Sequence, residues 1–548
     1  MNRITGLAVV VVLGIAGLQS SALAQAQPAP EQSEPADPLT PQKLDGLAPR
    51  APGAPHSVVP ANKPAETSPV VALLLQSISQ GKGTAVAHAD DRKAVEAFYA
   101  ENGGLPIWTS AEGYLPRARS AIEELEKAAD FGLDPKAFVV PAQTSAFAAP
   151  SAQAEAELSL ALAVLKYARH ARGGRLDVKQ ISRMIDREPG PFEPKSVLAA
   201  LSVSEDAAAS LRRFQPQHKG FQNLRLALLN ARKDASSAQN EQRILVNMER
   251  WRSMPDDLGA FYVLDNVPEQ LTRVVDEGRV VFMEKIVVGK PHTPTPQFTA
   301  EMKFVIFHPS WGVPNGIKKN ELAPLLRRSS QNGGWLFGFD GNGASRALAR
   351  HGLRVYHGGR EVNPDSIDWS RVNVANYSFT QPPGTRNVLG VVKFRFPNRH
   401  DVYMHDTTER HLFNSKVRAF SHGCMRVQNP LKLAEIILAH DRGWSAEKVQ
   451  SLVRHGGTSE ITLEKSLPVH VTYFTASADE SGKLELYGDL YGLDARIASA
   501  LAGRQVHIAA DKTESAPERP ASRRPAIRSQ RPRQSQASNP FADVFKNW

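Results

Sequence analysis

The spacing of apolar residues changes once along this chain, near Glu241, and that change constrains the fold more than any other feature. Before it, apolar side chains recur at helical intervals in Arg92 to Tyr99, Arg117 to Ala129, Ala154 to Arg172, Ser204 to Arg213 and Asn223 to Lys233. Gly132 and Pro135 stop the second of these. A short helix is expected at Gln242 to Trp251. After it the runs are short and rich in β-branched and aromatic residues: Ala260 to Leu264, Arg279 to Phe282, Lys285 to Gly289, Phe304 to Phe307, Val388 to Phe396, Asp401 to Met404 and Val469 to Phe474. Gly, Pro and Asn separate them, as in an antiparallel sheet or barrel. The pattern predicts an α+β chain: a mainly helical domain over 69–235, then a mostly β, sandwich- or barrel-like domain over 241–505, with a helix at Leu431 to His440. Lys318 to about Thr380 interrupts the strands with a polar, glycine-containing excursion. A long insertion of this kind beside chemistry reads as a lid.

The ends of the chain read differently. Arg3, the uncharged apolar run Leu7 to Leu18 and the small-residue site Ala22-Leu23-Ala24 form an expected signal peptide over 1–24, with Gln25 as the mature start. An uncleaved anchor helix is the other reading, but the run is short against the ~20 residues that span a bilayer. Residues 25–68 are a Pro/Ala-rich linker. Residues 506–548 form a basic tail with Arg519, Arg523, Arg524, Arg528, Arg531 and Arg533 among Pro, Ser and Gln, a composition of disorder. The tail carries much of the formal net charge of +10. A basic exported protein can meet nucleic acid, anionic lipid or an acidic polymer. No nucleic-acid module is present in the sequence, and export argues against one. After signal cleavage no transmembrane anchor is expected, and the periplasm is the expected compartment.

The chain has one cysteine, so it can form neither an internal disulfide nor a multi-cysteine metal site. Cys424 lies in Ser421-His422-Gly423-Cys424-Met425-Arg426-Val427. Fifteen residues separate Ser421 from His405, which lies in Tyr403-Met404-His405-Asp406-Thr407. A histidine can take a thiol proton or hold the thiolate as an ion pair. Gly423 permits a tight turn that aims backbone N–H groups at one point, the geometry of an oxyanion hole. An inert buried cysteine is the plain alternative. His308, His400 and His411 show no arrangement that suggests a metal, and no cofactor is expected.

These residues resemble the signature of the L,D-transpeptidases of bacterial peptidoglycan (a YkuD-type catalytic domain), in the large periplasmic subgroup with an N-terminal scaffold domain: His405, the spacer, then Ser421-His422-Gly423-Cys424 followed by an apolar residue and Arg426. Further matching stretches are Asn247–Arg252, Thr295–Phe298, Pro309–Pro314, Gln381–Gly384, Asn387–Gly390 and Lys393–Asn398, with Phe98-Tyr99, Leu105–Trp108 and Gly132–Pro135 in the helical part. Large members often carry a helical peptidoglycan-binding module between the two parts. Here only Asp234 to Asn240 lies there, which leaves substrate capture to the catalytic domain and lid.

The resemblance implies that Cys424 is the nucleophile, His405 its base, the backbone carbonyl of Asp406 the third member, and the backbone N–H groups of Gly423 and Cys424 the oxyanion donors. It implies thioester formation on a tetrapeptide stem with release of D-Ala. An acceptor stem then yields a 3→3 cross-link; an envelope protein's amine or water are the alternative acceptors. Arg426 either braces the loop or binds a stem carboxylate. Ser421, His422 and Trp311 are candidate substrate contacts, with loop-holding through backbone the favoured role for His422 and core packing the plainer role for Trp311 and Tyr403. Arg418 reads as part of a solvated face. A non-catalytic wall-binding protein and a papain-like protease are the competing classes, and the local signature of the latter is missing.

Overall fold

The computed structural model describes residues 68–81, 87–142, 146–234, 237–331 and 343–506. The expected signal peptide, almost all of the linker and almost all of the basic tail lie outside them. No helix among the described residues is long and apolar enough to cross a membrane.

The N-terminal part is helical, as the spacing predicts. Its longest helix, Pro150–Ala171, begins with proline at its first position and buries an Ala/Leu face that lets the neighbouring helices approach closely. One polar residue on that face is fully buried: Glu157 accepts the Tyr99 hydroxyl at 2.6 Å, the Ile107 and Trp108 N–H groups at 2.6 and 3.0 Å, and the Thr109 hydroxyl at 2.8 Å. This pins the loop that carries Trp108, itself wholly buried. Helices Pro69–Ser79 and Pro194–Ser202 were not visible as periodic runs.

Eleven strands build one curled sheet: β1 Phe261–Asn266, β2 Leu271–Asp276, β3 Arg279–Gly289, β4 Phe298–Glu301, β5 Phe304–Phe307, β6 Val392–Arg395, β7 Met404–His405, β8 Ala419–Ser421, β9 Met425–Val427, β10 Ser459–Thr462 and β11 Pro468–Thr472. Their order is β10-β5-β6-β7-β9-β3-β2-β1-β11-β4, with β8 beside β3. The sheet is mixed rather than purely antiparallel, because β7 runs parallel to β9, β8 to β3 and β11 to β1. The runs expected at 279–282 and 285–289 are one continuous strand, and β2, which completes its hairpin, escaped the pattern. Helix Pro430–Arg442 packs Leu433, Ile437 and Leu438 into the core against the sheet.

Two expectations about boundaries change. Helix Glu241–Arg252 packs Ile244 and Met248 against Phe221, Leu224 and Leu228 of helix Lys219–Lys233, so it completes a helical layer rather than opening the sheet domain. The excursion spans 311–381 and has its own four-stranded sheet and its own core, including Leu326, Leu348, Trp369 and Phe379. The polar excursion, expected to hold some helix, is a small folded subdomain whose apolar residues, diluted among polar ones along the chain, face one another.

The helical part clamps the sheet close to the cysteine. Asp186 N–H donates to Gln297 O at 2.8 Å, and the Asp186 carboxylate pairs with Arg399 at 2.5 Å and His400 at 3.0 Å.

Candidate active site

Parallel strands β7 and β9 bring the two halves of the motif together: Met404 lies opposite Met425, and His405 opposite Arg426. The Met425 N–H donates to Tyr403 O at 3.1 Å, which places Tyr403 beside Cys424. Cys424 is half-buried, and its thiol is directed at the carbonyl of Asp401, 4.0 Å away. No Cys424–His405 hydrogen bond is present among the described residues.

The turn before the cysteine is braced from within. Gly423 has φ +118°, where a β-carbon is strained. Ser421 Oγ donates to Cys424 O at 2.5 Å and accepts the Gly423 N–H at 3.1 Å. Thr295 Oγ1 donates to Gly423 O at 2.8 Å and accepts the Gly289 N–H at 2.9 Å. The Ser421 hydroxyl is thus engaged inside the turn and meets the Gly423 N–H. Of the two expected oxyanion donors, the Cys424 N–H has no protein partner among the described residues.

His405 is 5% exposed, and its Nδ1 hydrogen-bonds to the backbone oxygen of Asp406. That acceptor holds the proton on Nδ1 and leaves Nε2 as the basic nitrogen. The Asp406 carboxylate has a separate task. It accepts the Val391 N–H at 2.8 Å and the Thr407 N–H at 2.7 Å and pairs with Arg410. The strand turn at Gly390 passes so close that a β-carbon there would come within 2.2 Å of Asp406 Oδ2. Asp406 thus fixes the backbone whose carbonyl orients His405.

Electrostatics keep both reacting groups neutral at rest. Burial pushes the Cys424 thiol up to about 11, against the opposing pull of the Tyr403 N–H, the Lys393 charge and the Tyr403 hydroxyl. Burial, with the charges of Arg426 and Lys393, pushes His405 down to about 3. Burial thus disfavours the charged form of each group, and with it a preformed thiolate–imidazolium pair.

Some neighbours differ from expectation. Arg426 is ion-paired with Glu409, each 17% exposed, so its fork is engaged in bracing the loop and not open to a stem carboxylate. His422 does not bond to backbone; its Nε2 meets Glu321 Oε1 of the lid at 2.6 Å. Trp311 pairs with Gln381 at the base of the excursion and is half-buried against its apolar core, in keeping with the plainer core reading. Arg418 is 9% exposed rather than solvated and holds Ile286 O and Gln270 O at 3.2 and 2.9 Å.

Sequence reasoning gave no role to three residues that stand around the sulfur or its loop, Lys393, Asp401 and Glu321, and read Tyr403 as core, where it is indeed buried. Lys393 lies on β6 opposite His405, with its ammonium 3.6 Å from the centre of the Tyr403 ring. Asp401 has φ +53°, unusual for a residue with a side chain. Alternation along β6 marks Lys393 as a residue of one face, but nothing local marks Glu321.

Comparison with known proteins assigns two domains. A scaffold domain matches residues 93–228, and an L,D-transpeptidase catalytic domain matches residues 260–460. A Haemophilus influenzae protein provisionally named as an L,D-transpeptidase is 28% identical over 258 residues, which cover 47% of this chain and 49% of that protein. The chain thus spans about half the length of that relative. A solved L,D-transpeptidase from Mycobacterium smegmatis aligns at a TM-score of 0.17 and 12% identity over 39% of this chain and 58% of its own, a likeness that carries no argument.

Proposed function

We propose that this protein, which joins a scaffold domain to an L,D-transpeptidase catalytic domain, is a periplasmic cysteine acyltransferase that cross-links peptidoglycan stems. The observation that carries the reading is that His405, its Nδ1 held by the Asp406 carbonyl, lies on the strand paired in parallel with β9, which begins at the residue after Cys424. His405 Nε2 accepts the thiol proton as Cys424 attacks the carbonyl between the third stem residue, meso-diaminopimelate, and the terminal D-Ala. The oxyanion forms at the Cys424 N–H; one well-placed donor of this kind is worth about 3 kcal/mol. The protonated imidazole then returns its proton to the departing D-Ala amine. The thioester is then resolved by the amine of an acceptor stem to give a 3→3 cross-link.

Mass spectrometry of purified disaccharide tetrapeptide incubated with the mature protein tests this. Dimer with loss of one D-Ala is expected. Loss of D-Ala without dimer would make water the acceptor. Transfer only to an added envelope protein would make a protein amine the acceptor. No change in the tetrapeptide would overturn the acyl-transfer reading.

A further inference from the structure

Arg187 sits at the junction between the helical part and the sheet, on the segment that bridges to Gln297. It is 8% exposed. Its Nη2 donates to Phe298 O at 3.1 Å and Val471 O at 2.9 Å, and its Nη1 contacts the Met254 sulfur at 2.7 Å. All three acceptors are neutral, and among the described residues no carboxylate pairs with it. Nε, also buried, has no partner. A buried cation without a counter-ion is costly, and burial pushes this guanidinium down to about 9.

The same side chain lines a cavity of about 460 Å³. Trp251, Phe214, Pro191 and Pro255 supply apolar walls, and His218 adds a buried Nδ1 without a partner. The size suits one amino sugar or a dipeptide. The other charges on the wall are matched. Arg172 pairs with Asp256 at 2.7 Å, Asp186 with Arg399 at 2.5 Å, Glu188 with Lys179 at 2.5 Å, and Arg252 with Glu249 at 3.3 Å. Arg187 is the lining charge left over.

We propose that this junction cavity is a carboxylate-binding site, in which Arg187 receives the anionic group and the Trp251 and proline walls take the apolar face of the sugar or peptide that bears it. The choice of peptidoglycan as the source of that carboxylate rests on the function proposed above; the site itself does not. A guanidinium with a free buried N–H suits a carboxylate oxygen, and the pairing would replace the missing counter-ion.

Calorimetry on the full chain tests it with two pairs of probes, one member of each pair bearing carboxylate and the other none. N-acetylmuramic acid is set against N-acetylglucosamine, and the dipeptide L-Ala-γ-D-Glu against its fully amidated form. None has a scissile bond to D-Ala, and each is also titrated into Cys424→Ala, so failure here leaves the acyl-transfer reading untouched. Binding at ~1 mM or tighter by at least one carboxylate probe and not by its neutral counterpart is expected. The muramic-acid arm identifies a glycan-borne ligand, the dipeptide arm a stem. Arg187→Gln should abolish it. Because that variant removes a buried clamp, Glu188→Lys on the exposed rim is the second test: it should tighten carboxylate binding about 3- to 10-fold at low salt. Equal binding of charged and neutral probes, no binding of either pair, or no response to Glu188→Lys overturns the proposal.

Discussion

Glu321 of the lid and His422 of the cysteine turn are joined at 2.6 Å, and they come from elements a hundred residues apart in the chain. Glu321 is 6% exposed, and its second carboxylate oxygen is buried without a partner. It lies in Lys318–Leu322, a single π-helical stretch, a form of helix that recurs at functional sites. The contact ties the 311–381 excursion to the turn that carries Cys424.

The first prediction concerns that tie. Glu321→Ala should speed hydrogen exchange in both 318–331 and 421–425 and slow acylation of Cys424 by a carbapenem, the β-lactam class that the family resemblance implies as an acylating agent, about 10-fold, through looser positioning. Glu321→Gln keeps an acceptor and should lie between the variant and the wild type. Exchange mass spectrometry reads the coupling; protection unchanged in both segments would mean the contact is incidental. The lid's centre is not a safe deletion, since Ala344 and Leu348 belong to its core.

A second prediction separates the two roles at residues 405 and 406. His405→Ala should lower acylation by ~10²–10⁴-fold with little change in melting temperature. Asp406→Asn should do the reverse in kind. It disturbs the bonds to Val391, Thr407 and Arg410, so melting temperature falls while the pH dependence of acylation keeps its shape. Cys424→Ala should form no carbapenem adduct by intact mass, and an adduct on that variant would point to another nucleophile.

Lys393 carries the third. Its cation lies under the Tyr403 ring and lowers the thiol pKa against the larger opposing effect of burial. Removing a positive charge destabilises the thiolate, so Lys393→Met should slow iodoacetamide alkylation of Cys424 at neutral pH, where the ammonium is charged. Lys393→Arg should restore the rate. A rate indifferent to both substitutions would remove Lys393 from the chemistry and leave it a packing residue.

Asp265 yields a stability test. It is fully buried on β1, and burial raises its carboxyl to about 7. The folded state thus holds a proton that the unfolded chain releases near pH ~4. The sign follows: the neutral form's contribution is complete below pH ~4 and is lost as pH rises toward 7, by up to ~4 kcal/mol. Asp265→Asn should therefore raise the melting temperature at pH 8 and change it little at pH 4. Equal shifts at both pH values would refute the assignment.

The sequence by itself determined what depends on neighbours in the chain. Helical spacing located the scaffold helices, and Gly132 ended one of them in a left-handed cap. The Gly423-Cys424 turn and the contact of His405 with the carbonyl of the very next residue are local as well, so a short motif was enough to specify them. The tertiary structure decided who meets whom at long range. Glu321 rather than backbone holds His422, Glu409 takes the fork of Arg426, Ser421 occupies the Gly423 N–H, and the apolar residues of 311–381 form a core of their own. The physical reason is that periodicity and turn chemistry act over a few residues. Charge partners, burial and the pKa values that follow from them depend on which segments the sheet places side by side. A glutamate on a lid helix looks like any other until packing removes its water and sets a histidine against it.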